Sequence, residues 1–310
     1  MKLISIFLTL LAVVMSTENT WAGDCARLLS NEVRVAAVQY PIAYPRTTEN
    51  FLENFRDWVV TAAKSGADLI VFPELIVLDL IDPKSSDNES LQLQKIAAEF
   101  TPKFFDYASD LAKELNVSIL AGSSPRWEAG RVHNTALLAF ADGRRVLQDK
   151  IYLTPDEKNW GWTPGSTLKV FETPWGKTSI LICLDSEFPQ LSQSLVNARP
   201  EMLLIPSMTG SDFGLRRVQW SAQARAVEHY TYVVHTGTVS TNETHSGQAS
   251  LLNPQEPGFP KWIARGRKNE SSLVLGTFDM KFLREKRPNA GIYPAREQMV
   301  RPPPIVEISH

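Results

Sequence analysis

Apolar and polar residues follow two patterns that succeed one another along the chain. Residues 33–39 form a Val-rich run that alternates in part and is typical of a strand. Thr48 then has the character of an N-cap, and the apolar residues behind it recur at helical spacing: Phe51, Phe55, Trp58, Val59 and Ala62. Gly66 is placed to end that helix, and residues 69–72 form a short continuous apolar run. The pattern predicts a strand, a helix and a second strand.

The same succession continues further along the chain. Thr101 and Pro102 predict the start of a second helix, with Thr101 as its N-cap, and a strand follows over 117–121. Residues 141–144 predict a hairpin turn. Further strands are predicted over 135–140, 178–183, 203–205, 230–239 and 272–278, and further helices over 189–197 and 213–229.

Alternating strands and helices predict an α/β layered fold, and the hairpin indicates that its sheets are mixed. No linker or repeat divides the region from residue 30 to residue 286, which we interpret as one domain. Residues 287–310 are Pro-rich and lack periodicity, so they predict an extended C-terminal tail.

Composition narrows the classes of function. Apolar residues make up 43% and charged residues 21% of the 310 residues, which is typical of a globular protein. The net charge of -2 provides no broad attraction for nucleic acid or for anionic lipid. A small-molecule substrate fits this charge balance better.

The first 22 residues have the layout of a secretory signal. Lys2 precedes a nearly uninterrupted apolar run over 3–15, and a polar stretch ends at Ala22. That run is short for a bilayer core of about 30 Å. We therefore expect cleavage near Ala22, an exported protein that is periplasmic or secreted, and no membrane contact after cleavage. Asp24 before Cys25 does not suit a lipidation signal.

Cys183 is the first candidate for chemistry. An apolar run ends at Cys183, and Pro189 then predicts the start of a helix, so this side chain is expected at the end of a sheet strand. Backbone N–H groups of the following turn can receive a developing oxyanion, and the Leu184 N–H is the natural donor. A buried cysteine without chemistry is the alternative.

Glu74 and Lys150 also follow strand-like segments. A carboxylate directly after the buried run that ends at Phe72 is costly unless it is paired or has a chemical role. Lys150 is followed by the apolar run 151–153. Taken singly, the structural interpretations, Glu74 as a helix cap and Lys150 as a solvated charge beside Asp149, are favoured over catalytic ones.

The three candidates together resemble a known family. The segments FPEL around Glu74, DKIYLTP around Lys150 and ICLDSEFP around Cys183 look like the three signature segments of the nitrilase superfamily of carbon-nitrogen hydrolases, in the family's order. The resemblance also covers residues 133–135 and 223–228 and spans 33–278. Leu184 is a departure, because many amidase-like members have Tyr there.

The resemblance implies a four-layer α-β-β-α sandwich that forms a homodimer or a higher homo-oligomer. It implies hydrolysis of a non-peptide amide bond in a small molecule, without metal or organic cofactor. Glu74 is expected to take the proton of Cys183, whose thiolate attacks the carbonyl, while Lys150 stabilises the oxyanion. Glu157 is expected to orient Lys150 and the substrate, with Asp156 as its competitor, and Leu184 is expected to tune substrate fit.

Three alternatives stay open at this point. A Cys-His hydrolase has bases available in His133, His229, His235 and His245, although none lies in a recognised Cys-His signature. An N-acyltransferase would pass the same thioester to an amine instead of water. A non-enzymatic ligand-binding protein would keep the fold without turnover.

Overall fold

The computed structural model describes residues 29–240 and 244–297. The α-helices of these ranges are α1 Thr48–Lys64, α2 Glu89–Lys95, α3 Thr101–Glu114, α4 Pro155–Asn159, α5 Pro189–Leu195, α6 Asp212–His229, α7 Met280–Lys286 and α8 Pro294–Glu297. No helix in this part of the chain is long and apolar enough to cross a bilayer. The predicted secretory signal, Cys25 and residues 298–310 lie outside the described ranges, so those predictions stay open.

Two mixed sheets form the centre of the fold. Their strands are β1 Glu32–Ile42, β2 Leu69–Val71, β3 Ser118–Glu128, β4 Arg131–Ala139, β5 Arg145–Asp149, β6 Val170–Thr173, β7 Gly176–Ile180, β8 Met202–Ile205, β9 Tyr232–His235, β10 Gly237–Ser240, β11 Ser250–Leu252, β12 Ala264–Arg265 and β13 Ser272–Asp279. The first sheet has the order β10-β1-β2-β3-β4-β5, with β13 also paired to β1. The second sheet has the order β12-β11-β9-β8-β7-β6. Both contain parallel and antiparallel pairs, as predicted.

The sheets face each other, and helices cover their outer faces. Strand β1 shows the division, because Val33 and Val35 belong to the core that the two sheets share, whereas Val38 packs under α1 and α3. Tyr232 of the second sheet stacks on Phe278 of the first at 4.4 Å between ring centroids. Apolar residues of α6 cover the outer face of the second sheet. The four-layer α-β-β-α sandwich is confirmed.

The starts of α1 and α3 differ from the predictions. Thr47, not Thr48, caps α1, because its side chain accepts the Asn50 N–H. Thr101 is not an N-cap, since the chain is already helical from α2 through a π-helical turn at Ile96–Phe100. The Thr101 hydroxyl instead donates to the Pro125 carbonyl at 2.7 Å and fixes the helix to β3.

The segment predicted as one strand over 230–239 is two strands that belong to different sheets. β9 pairs with β8 in the second sheet, and β10 pairs with β1 in the first. The Thr236 N–H between them donates to the Ile205 carbonyl. The apolar run over 230–239 therefore crosses from the second sheet to the first.

The first part of the predicted extended tail is folded. Arg287–Asn289 is a 3-10 turn, α8 follows, and Tyr293 is buried in the core. The Arg287 guanidinium donates to the carbonyls of Pro200 and His229. These long-range bonds hold a segment that has no periodic pattern of its own.

Candidate active site

Glu74 lies just beyond the carboxyl end of β2, at one end of the space between the two sheets. The Phe72 and Leu75 N–H groups donate to carbonyls of β3 on either side of it. Gly122 of β3 has a φ of +73°, and a Cβ there would lie 1.9 Å from the Pro73 carbonyl oxygen. Only glycine permits this approach. The Glu74 side chain is 2% exposed.

Lys150 lies between two carboxylates. It follows β5 directly and is 1% exposed. Its Nζ donates to Glu74 Oε1 at 2.7 Å and to Glu157 Oε2 at 2.8 Å. An ammonium group has three hydrogens, so one remains for a third acceptor. The structure therefore brings Glu74 and Glu157 to the same atom of Lys150.

Glu157 reaches Lys150 because of a capping box at the start of α4. Thr154 caps the helix, and its N–H and hydroxyl donate to Glu157 Oε2 at 2.7 and 2.9 Å. The same turn leaves Asp156 exposed. Of the two carboxylates weighed from sequence, Glu157 contacts Lys150. The sequence Thr-x-x-Glu already carried that signal.

Asn134 is a member of this cluster to which the sequence analysis assigned no role. Its amide Nδ2 donates to Glu74 Oε1 at 3.0 Å and to Glu157 Oε1 at 2.6 Å. Asn134 and Lys150 therefore each connect the same two carboxylates, and the four side chains form a closed ring. The available signal was its place in the segment 133–135, which belongs to the family resemblance.

Cys183 stands on a tight turn three residues beyond β7. Its φ is +47°, in the left-handed region, which costs roughly 1–2 kcal/mol for a residue with a side chain. Its N–H donates to the Pro206 carbonyl at 2.9 Å, and the Ser186 hydroxyl donates to the Cys183 carbonyl at 2.7 Å. These bonds hold the strained turn that ends the predicted strand early and carries the thiol.

One peptide segment connects the thiol to the carboxylate. The Met208 N–H donates to Glu74 Oε2 at 3.0 Å, and the Cys183 Sγ lies 3.6 Å from the Met208 carbonyl oxygen. Glu74 and Cys183 also line the same cavity. Glu74, Lys150 and Cys183, which come from both sheets, therefore meet in one place.

Burial and charge set the protonation states. Burial raises the pKa of Glu74, while the Lys150 ammonium opposes this rise. Burial and the nearby Glu74 charge raise the pKa of the Cys183 thiol well above its ordinary value. Burial alone would lower the pKa of Lys150, but Glu74 and Glu157 raise it, so Lys150 stays charged. The resting site has a thiol, an ammonium group and a carboxylate able to take a proton.

A cavity of about 290 Å³ opens from these side chains to the surface. Leu184 is half-buried in its wall, and the Leu184 N–H lies in the first turn of the 3-10 segment Cys183–Glu187, where N–H groups have no partner within the helix. The described histidines are absent from the cavity wall. Within residues 29–240 and 244–297, no cluster of His, Cys, Asp and Glu is arranged to hold a metal ion. The wall therefore offers a thiol that can act as a nucleophile and a carboxylate that can act as a base. The Lys150 ammonium group and the Leu184 N–H are the two donors available to an oxyanion.

Asp185 links the two turns that carry Lys150 and Cys183. Its buried carboxylate accepts the N–H groups of Ile151 and Tyr152, just after Lys150, at 3.1 and 2.8 Å. It also accepts the Ile182 N–H at 3.3 Å, just before Cys183. Burial raises the pKa of Asp185 to about 7, against the effect of these donors. Asp185 therefore sets the separation of the ammonium group and the thiol.

We expect Asp185→Asn to lower kcat about a hundredfold, because displacing the two turns by about an ångström costs that much. The pKa of Asp185 is higher in the folded than in the unfolded chain, so its contribution to stability is present below about pH 4 and is lost as the pH rises through about 7. Wild type should therefore lose stability between pH 5 and pH 8, and Asp185→Asn should lose less over the same range. Urea unfolding at the two pH values measures both losses. Asp110→Asn, at an exposed position of α3, should keep the wild-type kcat and pH dependence. An unchanged kcat in Asp185→Asn would contradict this role.

The chain is similar to known carbon-nitrogen hydrolases. Residues 34–258 match the family model described as carbon-nitrogen hydrolase. A Bacillus subtilis protein named "Probable hydrolase YhcX" is 31% identical over 269 residues, which are 84% of this chain and 52% of that protein. The chain thus spans about half the length of that relative. The omega-amidase NIT2 of Danio rerio is 26% identical over 270 residues, with 83% of this chain and 92% of the relative covered.

A solved structure of the amidase from Nesterenkonia sp. AN1, in complex with acrylamide, has a similar fold. The superposition has a TM-score of 0.69 at 20% identity and covers 84% of this chain and 96% of the amidase. At this level of identity the likeness concerns the fold. It agrees with the two-sheet sandwich that positions Glu74, Lys150 and Cys183.

Proposed function

Because this chain belongs to the carbon-nitrogen hydrolase family, we propose that it hydrolyses a small non-peptide carboxamide through a thioester on Cys183. One observation carries the proposal. Glu74 Oε2 accepts the N–H of Met208, whose carbonyl oxygen lies 3.6 Å from Cys183 Sγ, and Glu74 Oε1 accepts a hydrogen bond from the buried Lys150 ammonium. The same carboxylate is therefore next to the nucleophile and next to the cation.

The first half of the reaction forms the thioester. Glu74 takes the Sγ proton of Cys183, and the thiolate attacks the amide carbonyl carbon. The third hydrogen of Lys150 and the Leu184 N–H stabilise the oxyanion of the tetrahedral intermediate. Glu74, now protonated, gives its proton to the departing nitrogen, so ammonia leaves from a primary amide. The acyl group remains on Sγ.

The second half returns the enzyme to its resting state. Glu74 takes a proton from water, and the resulting hydroxide attacks the thioester carbonyl under the same oxyanion donors. Sγ leaves as a thiolate, the carboxylic acid departs, and Glu74 returns its proton to Sγ. Burial raises the pKa of Glu74, which makes this carboxylate a stronger base than an exposed glutamate and suits it to taking up and releasing the proton.

The experiment that tests this function measures ammonia and carboxylic acid from a panel of small carboxamides, carbamoyl compounds and nitriles. We expect equimolar ammonia and acid from carboxamides, with a transient mass increase on the Cys183 peptide that equals the acyl group. Acid formation without an added amine separates hydrolysis from acyl transfer. Ammonia release that depends on an added acceptor amine, or silence across the whole panel, would contradict the proposal.

A further inference from the structure

The cavity wall has more acidic than basic side chains. Four carboxylates and two cations line the cavity: Glu74, Asp156, Glu157, Glu187, Lys150 and Arg217. The wall therefore has a formal excess of two negative charges. Which of these charges are already paired decides what the cavity accepts at the end remote from the thiol.

Both cations are already bound to carboxylates. Lys150 is buried between Glu74 and Glu157. Arg217 Nε donates to Glu187 Oε2 at 2.9 Å, and a second guanidinium nitrogen lies 3.5 Å from Glu187 Oε1. The Glu187 side chain is 17% exposed and that of Arg217 is 62% exposed, so the carboxylate is the more enclosed partner. Each positive charge of the wall is therefore already paired with a carboxylate of the wall, and neither is unpaired for a substrate carboxylate.

The acids, in contrast, are not all matched. Lys150 supplies one positive charge to two carboxylates. Asp156 is exposed at the cavity mouth and has no ion pair within the described residues. Glu89 lies near enough for the Asp156 charge to raise its pKa, in addition to the larger effect of burial. On the α4 side, the cavity lining therefore carries a negative charge that neither cation of the lining pairs.

We propose that the carboxamide substrate carries a positive charge, such as an ammonium group, at the end remote from its amide. This inference rests on the proposed function of the same site. The ammonium group would lie near Asp156, and the connecting carbon chain would lie along Leu75, Leu184 and Phe213. A carboxylate at the same end would meet unmatched acids in a partly enclosed cavity, where like charges repel more strongly than in bulk water.

Three amides of matched length test the charge: pentanamide, its ω-amino derivative and the monoamide of glutaric acid. At low ionic strength and pH 7.5 we expect the ω-amino amide to exceed pentanamide about tenfold in kcat/KM, and to exceed the acidic amide about a hundredfold. Added salt should reduce both ratios, because exposed charges are screened. An acidic amide that is used as well as the ω-amino amide would overturn the proposal.

Variants of opposite sign locate the effect. Asp156→Asn should lower the ratio of ω-amino amide to pentanamide about fivefold, because it removes the unmatched acid. Arg217→Gln should raise this ratio, because it releases Glu187. Asp110→Asn, far from the cavity on α3, should leave it unchanged. If Arg217→Gln instead selectively removed turnover of the acidic amide, Arg217 would be the carboxylate-binding group and the proposal would be wrong.

A binding experiment separates this proposal from the catalytic one. Calorimetric titration of Cys183→Ala with the three intact amides measures charge preference without turnover. Tighter binding of the ω-amino amide by about tenfold supports the charge proposal even if wild type releases no ammonia, an outcome that would count against hydrolysis alone. Equal binding of all three amides would overturn the charge proposal while leaving hydrolysis intact.

Discussion

Replacing Cys183 with alanine is expected to remove amide turnover, with a loss on the order of a millionfold, as is typical when a covalent nucleophile is deleted. The loss follows from the geometry, because within the described residues the cavity holds no second thiol next to Glu74. The oxyanion donors alone cannot replace the covalent path. Steady-state ammonia release and mass spectrometry of the Cys183 peptide measure the effect.

Folding of this variant needs its own control. Cys183 is buried in the core that the two sheets share, so we expect Cys183→Ala to lower the free energy of unfolding by about 1 kcal/mol. Cys183→Ser keeps a small polar side chain on the same left-handed turn and should also be folded but nearly inactive, because its hydroxyl is a poorer nucleophile. Turnover within tenfold of wild type in Cys183→Ala would refute the thioester mechanism.

Lys150→Met is expected to abolish activity and also to destabilise the fold. Methionine fills a similar volume but leaves Glu74 and Glu157 buried without a cation. Removing one partner of a buried ion pair costs about 3–5 kcal/mol. Urea unfolding at pH 7 and ammonia release measure the two effects. Lys158→Met, an exposed position on α4, is the matched control and should change neither.

The pH dependence of the same variant distinguishes a buried charge from lost packing. Without the opposing charge of Lys150, burial raises the folded-state pKa of Glu74 further above its unfolded value near 4.3. The folded variant then binds protons more tightly than the unfolded chain, so its stability deficit should shrink as the pH falls from 7 to 5. A deficit that is independent of pH would show that the cost is packing, and that the carboxylates find other partners.

In the proposed mechanism, the ring of Glu74, Lys150, Glu157 and Asn134 removes the need for a low thiol pKa at rest. We expect the thiol to stay protonated until Glu74 accepts its proton, and Lys150 to keep Glu74 available as a base by opposing the effect of burial. Asn134 and Thr154 use hydrogen bonds to fix the carboxylates without adding charge. The charge of this ring is thus set by Glu74, Lys150 and Glu157, and the positions of its carboxylates are held by Asn134 and Thr154.

Much of this arrangement is encoded locally. The Val-rich strand β1, the periodic face of α1 and the hairpin between β4 and β5 depend on neighbouring residues only, and the structure contains all three. The capping box that turns Glu157 inward is also local, because Thr154 and Glu157 are three residues apart. Patterns of this kind can be read from the chain because their hydrogen bonds form within one turn or one strand pair.

By itself, the sequence determined the alternation of strands and helices, the layered fold class and the candidates Glu74, Lys150 and Cys183. Only the tertiary structure decided that Asn134 joins Glu74, 60 residues away, and that Asp185 ties Tyr152, 33 residues away, to the Cys183 turn. It also divided one apolar run between two sheets at Thr236 and folded the residues after Arg287 onto the core. The physical reason is that these partners meet only when the two sheets pack face to face, and a polar residue carries no local sign of which distant group will satisfy it.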